Sequence, residues 1–144
     1  MFNRRCYENK KMNILIAASD FKPLIGGVAE HTFQIARVLS QRGNKVVVLT
    51  PHFPGDKEFD SICPYRVYRY NVNLFYSFPR LCICRYLKEF SFLKKIIDEY
   101  QVDIVIGNHL CINPYIYYWI GTKMMKRPFV YLSMGMRLWV DSER

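Results

Sequence analysis

With 144 residues, 51% of them hydrophobic and 23% charged, the chain has material for one packed core, little room for a second domain, and too much apolar content to be mainly disordered. Lys plus Arg number 21 against 12 Asp plus Glu, and the resulting net charge of +9 favours anionic partners. The basic residues are nevertheless scattered, from Arg4 and Arg5 through Arg80, Arg85, Lys94 and Lys95 to Lys126 and Arg127, and they form no compact nucleic-acid motif, so nucleic acid is not expected as a partner.

Residues 1–11 read as a loose polar leader, with Met12 as an alternative start. The stretch imitates a secretory signal because basic residues precede aliphatic ones, but its apolar part is too short for that role. No run reaches the roughly 18 apolar residues that a membrane span requires. The five cysteines (Cys6, Cys63, Cys82, Cys84, Cys111) are odd in number and irregularly spaced, which points to a reducing cytoplasm rather than a disulfide framework. Cys82 and Cys84 imitate a metal pair, yet positions two apart on a helix point to nearly opposite sides, so no metal site is expected.

The apolar run "NILIAAS" (13–19) does not alternate, which is the pattern of a strand covered on both faces. Val28, Thr32, Ile35, Ala36 and Leu39 then recur at intervals of three and four, opposite Glu30, Arg37 and Gln41, and predict an amphipathic helix closed by Gly43. "KVVVLT" (45–50) is a second buried strand. The segment 51–64, with three prolines and a glycine, predicts an irregular loop. "YRVYRYNV" alternates and suits a third strand nearer the sheet edge. A helix follows over 79–100, then a strand at "DIVIGN" (103–108), a helix opened by Asn113 and Pro114, and a fifth strand at "PFVYLSMG" (128–135). Strand and helix alternate throughout, so the expected fold class is α/β, a doubly wound, Rossmann-like parallel sheet in the order 3-2-1-4-5. Ligands in such sheets bind beyond the carboxyl ends of the strands, where the strand order reverses.

Gly26 and Gly27 fall at that place, between the first strand and the first helix. Two residues without a β-carbon let a ligand approach the backbone, and the first helix amides from Val28 onward add the positive end of the helix dipole. A phosphate or diphosphate would be favoured there; a tight turn that happens to use glycine is the plainer alternative. Neither common phosphate fingerprint is present. The loop "PLIGGVAEH" is not G-x-G-x-x-G, the second strand ends "VLTPHF" without an acid for ribose hydroxyls, and no Walker sequence occurs.

The stretch "MNILIAASDFKPLIGGVAEHTFQIARVLSQRGNKVVVLTP" resembles the opening of the family 4 glycosyltransferases, which are retaining enzymes of the GT-B fold. "VDIVIGNHL" and "RPFVYLSMG" resemble that family's later strands. The resemblance implies that residues 12–144 are the Rossmann-like, acceptor-side N-terminal domain of an enzyme that moves a sugar from a nucleotide-diphosphate sugar to a glycan or lipid-linked acceptor. It implies no cofactor beyond that sugar-nucleotide substrate and no essential metal. By position, Gly26, Gly27 and Val28 become the donor-diphosphate loop.

His31, in the first turn of the helix, either reaches the cleft or packs at the sheet edge. Asn108 and His109, after the fourth strand, either bind acceptor hydroxyls or cap the loop. No catalytic residue stands out. Family members commonly carry a histidine before the glycine that follows strand five, and here Met134 precedes Gly135, a residue that can neither donate a strong hydrogen bond nor transfer a proton. The family's second domain carries two glutamates separated by seven residues, and no glutamate pair in this chain has that spacing. The chain stops at "RLWVDSER", just after the fifth strand, so the domain is expected to be incomplete at its C-terminal end, and inactive without a separate C-terminal glycosyltransferase domain as partner.

Residues 79–100 join helical apolar spacing to five basic residues. Such a helix either lies on an anionic membrane surface or covers the sheet with its apolar stripe while its lysines stay solvated. The expected location is the cytoplasm, with the inner face of the membrane as the place a lipid-linked acceptor would bring it. A non-catalytic module that binds a phosphorylated metabolite or docks to a partner domain is the competing function.

Overall fold

A computed structural model describes residues 11–70, 83–108 and 124–132, with the helix path alone over 83–90. These segments hold five strands and three helices, in the order β1 Asn13–Ala18, α1 Gly27–Gln41, β2 Lys45–Pro51, α2 Asp56–Ser61, β3 Arg66–Tyr70, α3 Ile83–Tyr100, β4 Ile104–Asn108 and β5 Phe129–Leu132. The strands form one sheet in the order β3-β2-β1-β4-β5, every adjacent pair parallel. This is the doubly wound Rossmann-like sheet predicted from the alternation, with β3 at one edge.

The continuous apolar runs are explained by burial on both faces. Ile14 and Ile16 of β1 join Val46, Val48, Phe21, Ala36 and Tyr65 on one side. Leu15 joins Val47, Leu49, Val105 and the α3 residues Leu93, Ile96 and Ile97 on the other. Each Val, Leu, Ile or Phe side chain among them, withdrawn fully from water, contributes roughly 1.5–3 kcal/mol of transfer free energy. The α1 pattern holds: Ala29, Thr32 and Ala36 are buried, with Phe33, Ile35 and Leu39 packed beside them.

Gly43 closes α1 in the left-handed region at φ 83. Its N–H donates to the Ser40 carbonyl at 2.8 Å and the Asn44 N–H to the Leu39 carbonyl at 3.3 Å, the two bonds of a Schellman turn. Asn44 then ties the helix end to the sheet. Its amide donates to the Leu39 carbonyl at 2.9 Å, and its Oδ1 accepts the Met12 N–H at 3.1 Å.

The predicted irregular loop 51–64 requires a correction, because Asp56–Ser61 forms the short helix α2. Gly55 in the left-handed region at φ 79 turns the chain into it, and Phe59 provides the reason to fold, packing its ring 6.1 Å from Phe21 and 5.6 Å from Phe33. The prolines that suggested a loop lie outside these six residues. Over the described part of α3, Leu93, Ile96 and Ile97 are buried and Lys94 and Lys95 exposed, so the apolar stripe there covers the sheet. Among the described residues no helix is long and apolar enough to cross a membrane, and no group of three or more His, Cys, Asp or Glu gathers as for a metal. The expected polar leader, apart from Lys11, the helix opened by Asn113 and Pro114, and Cys6, Cys82 and Cys111 lie outside the described residues.

Candidate functional site at the carboxyl ends of β1 and β4

The strand order reverses between β1 and β4, whose register pairs Ala18 with Asn108 at their carboxyl ends. The loop that leaves β1 carries Gly26 and Gly27 to the head of α1. Gly26 is the helix N-cap, and its carbonyl accepts the Glu30 N–H at 2.9 Å; no side chain caps the helix. The opening amides of a helix have no intrahelical acceptor, so this end offers donors and a partial positive charge.

Neither glycine is required by the local backbone. Gly26 is extended, at φ 173 and ψ 157, and the left-handed glycines among the described residues are Gly43 and Gly55. A β-carbon placed on Gly26 or on Gly27 meets nothing within 4 Å. Both residues are exposed, and Ile25 beside them is 99% exposed, so the loop tip stands open.

The electrostatics of the helix head are balanced. Glu30, in the first turn, is held below the usual carboxylate range by the Gln34 amide and by Lys22, and so stays ionised. The Lys22 ammonium lies 2.6 Å from its carboxylate and offsets the charge that would repel an anion.

Asn108 is fully buried and reaches from β4 to α1. Its Nδ2 lies 2.7 Å from Thr32 Oγ1 and 3.3 Å from His31 Nδ1. Thr32 in turn donates to the Val28 carbonyl at 2.7 Å. His31 and Asn108, nominated separately from the sequence, therefore belong to one hydrogen-bonded cluster that joins the end of β4 to the head of α1. Val28 enters it only through its carbonyl. His109, Met134 and Gly135 lie outside the described residues.

Arg69 was missed from sequence and organises the loops around the site. Its Nε and Nη2 donate to the Asp60 carboxylate at 3.0 and 2.7 Å, Nη1 to the Pro51 carbonyl at 3.1 Å, and Nη2 also to the Lys22 carbonyl at 2.6 Å. The guanidinium lies over the Phe21 ring at 5.5 Å and the Phe53 ring at 5.9 Å, and the side chain is 5% exposed. One residue of β3 thus clamps the β1–α1 loop, the end of β2 and α2 together. The alternation held the signal: Tyr65, Val67 and Arg69 share a face, and an arginine on a core-facing strand position needs buried acceptors. Beside it, a groove of about 400 Å³ is lined by His52, Asp56, Lys57, Arg66 and Tyr68 among others. Asp56 is held below its ordinary value chiefly by the His52 hydrogen bond, with Nδ1 and Oδ2 2.6 Å apart.

A parallel doubly wound sheet with an uncapped, glycine-led helix at its switch point defines a Rossmann-like domain. Residues 25–132 match the model of glycosyltransferase family 4, and the chain belongs to that family. The fold is similar to that of a glycosyltransferase from Rickettsia africae ESF-5, at a TM-score of 0.59 and 18% identity over 83% of this chain. It is also similar to MurG from Acinetobacter baumannii, at 0.56 and 15% over the same share. The chain spans 29% and 34% of the lengths of those two proteins, about a third of each. No curated protein matches it.

Proposed function

We propose that the chain is the acceptor-side half of a glycosyltransferase that moves a sugar from a nucleotide-diphosphate sugar to a glycan or lipid-linked acceptor, with Gly26, Gly27 and Val28 facing the donor diphosphate. The observation that carries this reading is the pair of glycines that the fold does not need. A turn that used glycine for its own geometry would place it at positive φ or against a neighbour, and this loop does neither. Bare backbone at the head of a helix then serves whatever approaches from outside, and its amides suit charge growing on a diphosphate leaving group. His31, joined to the buried Asn108, stands at the switch point, where its ring suits an oxygen of the donor or the acceptor. Excluding water from a reactive glycosyl centre takes a closed cleft, and the partner domain supplies its other wall. The chain alone is accordingly expected to bind without turning over.

The test is calorimetric titration of the chain with inorganic pyrophosphate and with nucleoside-diphosphate sugars, repeated on Gly27→Ala. Alanine at a first helical position with free space for its methyl should raise stability by about 0.5 kcal/mol, while obstructing the backbone should weaken pyrophosphate about tenfold. Equal affinity in both forms counts against the diphosphate loop. Sugar-nucleotide turnover by the purified chain overturns its dependence on a second domain, and binding of unrelated phosphometabolites in preference to sugar nucleotides favours a non-catalytic module.

A further inference from the structure

We infer that Asn108 is a positioning residue that fixes His31 with its proton on Nε2, which makes the ring a hydrogen-bond donor beside the glycine loop. The assignment follows from a chain of donors and acceptors that starts at the backbone. The Val28 carbonyl can only accept, so Thr32 must spend its single hydroxyl proton on it at 2.7 Å, a proton it shares with the Asp20 carbonyl at 3.3 Å. Thr32 Oγ1 can then only accept from Asn108, which turns the amide so that Nδ2 faces it at 2.7 Å. The same NH₂ group has a second proton, and His31 Nδ1 is the atom 3.3 Å away. Nδ1 therefore accepts, and a neutral imidazole whose Nδ1 accepts carries its proton on Nε2.

The opposite amide orientation would turn Oδ1 toward Thr32, whose proton is already committed to backbone carbonyls. The observed orientation leaves Oδ1 buried with no partner among the described residues, a cost of about 1–3 kcal/mol.

His52 supplies a contrast within the same molecule. Its Nδ1 lies 2.6 Å from the Asp56 carboxylate, which can only accept, so that ring must carry a proton on Nδ1. Resting on the diphosphate reading above, the class of ligand atom that His31 suits is an anionic acceptor oxygen rather than a donor hydroxyl.

Long-range 1H–15N spectra of the chain labelled in its three histidines read the tautomers directly, and His31→Gln assigns the signal. The wild type should show Nδ1 of His31 unprotonated and Nε2 protonated, with Nδ1 of His52 protonated. A protonated Nδ1 on His31 overturns the proposal without any substitution. Asn108→Asp offers Nδ1 a carboxylate and should move the His31 proton onto it, and Asn108→Ala should shift both ring nitrogens toward free-imidazole values. An unchanged His31 signal in both variants also overturns it. Added pyrophosphate should move the His31 Nε2–H resonance, with affinity about tenfold lower in Asn108→Ala, the worth of one charge-assisted hydrogen bond. Pyrophosphate that binds without moving that resonance removes the donor role of His31. Failure of pyrophosphate to bind, with the tautomers as assigned, counts against the diphosphate loop alone.

Discussion

Replacing Arg69 by methionine keeps the unbranched apolar stem of the side chain and removes its guanidinium, with its charge and donors. Four hydrogen bonds disappear at once, two to Asp60 and one each to the Pro51 and Lys22 carbonyls. Removing one member of a buried ion pair costs about 3–5 kcal/mol when the other charge is stranded. Asp60 is 21% exposed and can partly rehydrate, which places the loss near the lower end, about 3 kcal/mol. Against a total stability of about 5–15 kcal/mol this is a large fraction, and at about 3 °C per kcal/mol for a chain of this size it lowers the melting midpoint by about 10 °C. Urea denaturation of the wild type, Arg69→Met, Asp60→Asn and the double variant forms a complete cycle. The double variant should recover about 1–2 kcal/mol relative to Arg69→Met, because the amide no longer leaves an uncompensated charge. A cost below about 1 kcal/mol for Arg69→Met, with additive single effects, would falsify the clamp and reduce Arg69 to a surface ion pair.

Two further outcomes follow from the fold. Gly43→Ala places a β-carbon on a residue at φ 83 and 3.3 Å from the flexible Lys11 side chain, so it should destabilise the chain by about 1 kcal/mol in denaturant titration, the opposite sign to Gly27→Ala. Asp56 has a depressed folded-state pKa, so its contribution is present above its unfolded value of about 3.9 and is lost as pH falls through the folded value. Thermal midpoints followed from about pH 6 to about pH 2 should therefore fall less steeply on the acid side in Asp56→Asn than in wild type; parallel curves refute the His52–Asp56 contribution.

The sequence by itself determined the architecture. Unbroken apolar strands can be satisfied only by cover on both faces, and strand–helix alternation with short connections leaves few topologies, so β1, α1, β2, β4 and the order 3-2-1-4-5 were legible as pattern. Gly43 was legible too, because a helix end that needs a left-handed residue selects glycine. The short helix α2 was not, since six residues carry no resolvable period and its stability comes from Phe59 meeting Phe21 and Phe33, a contact between segments far apart in the chain. At the site, residue types and loop positions nominated Gly26, Gly27, His31 and Asn108 one at a time. Only the tertiary structure decided that Asn108 and His31, 77 residues apart, share a hydrogen bond, and that Arg69 holds the β1–α1 loop, the end of β2 and α2 together. Patterns along a chain report which face a residue buries; hydrogen-bond partners are chosen by register and crossover geometry, which exist only once the sheet has formed.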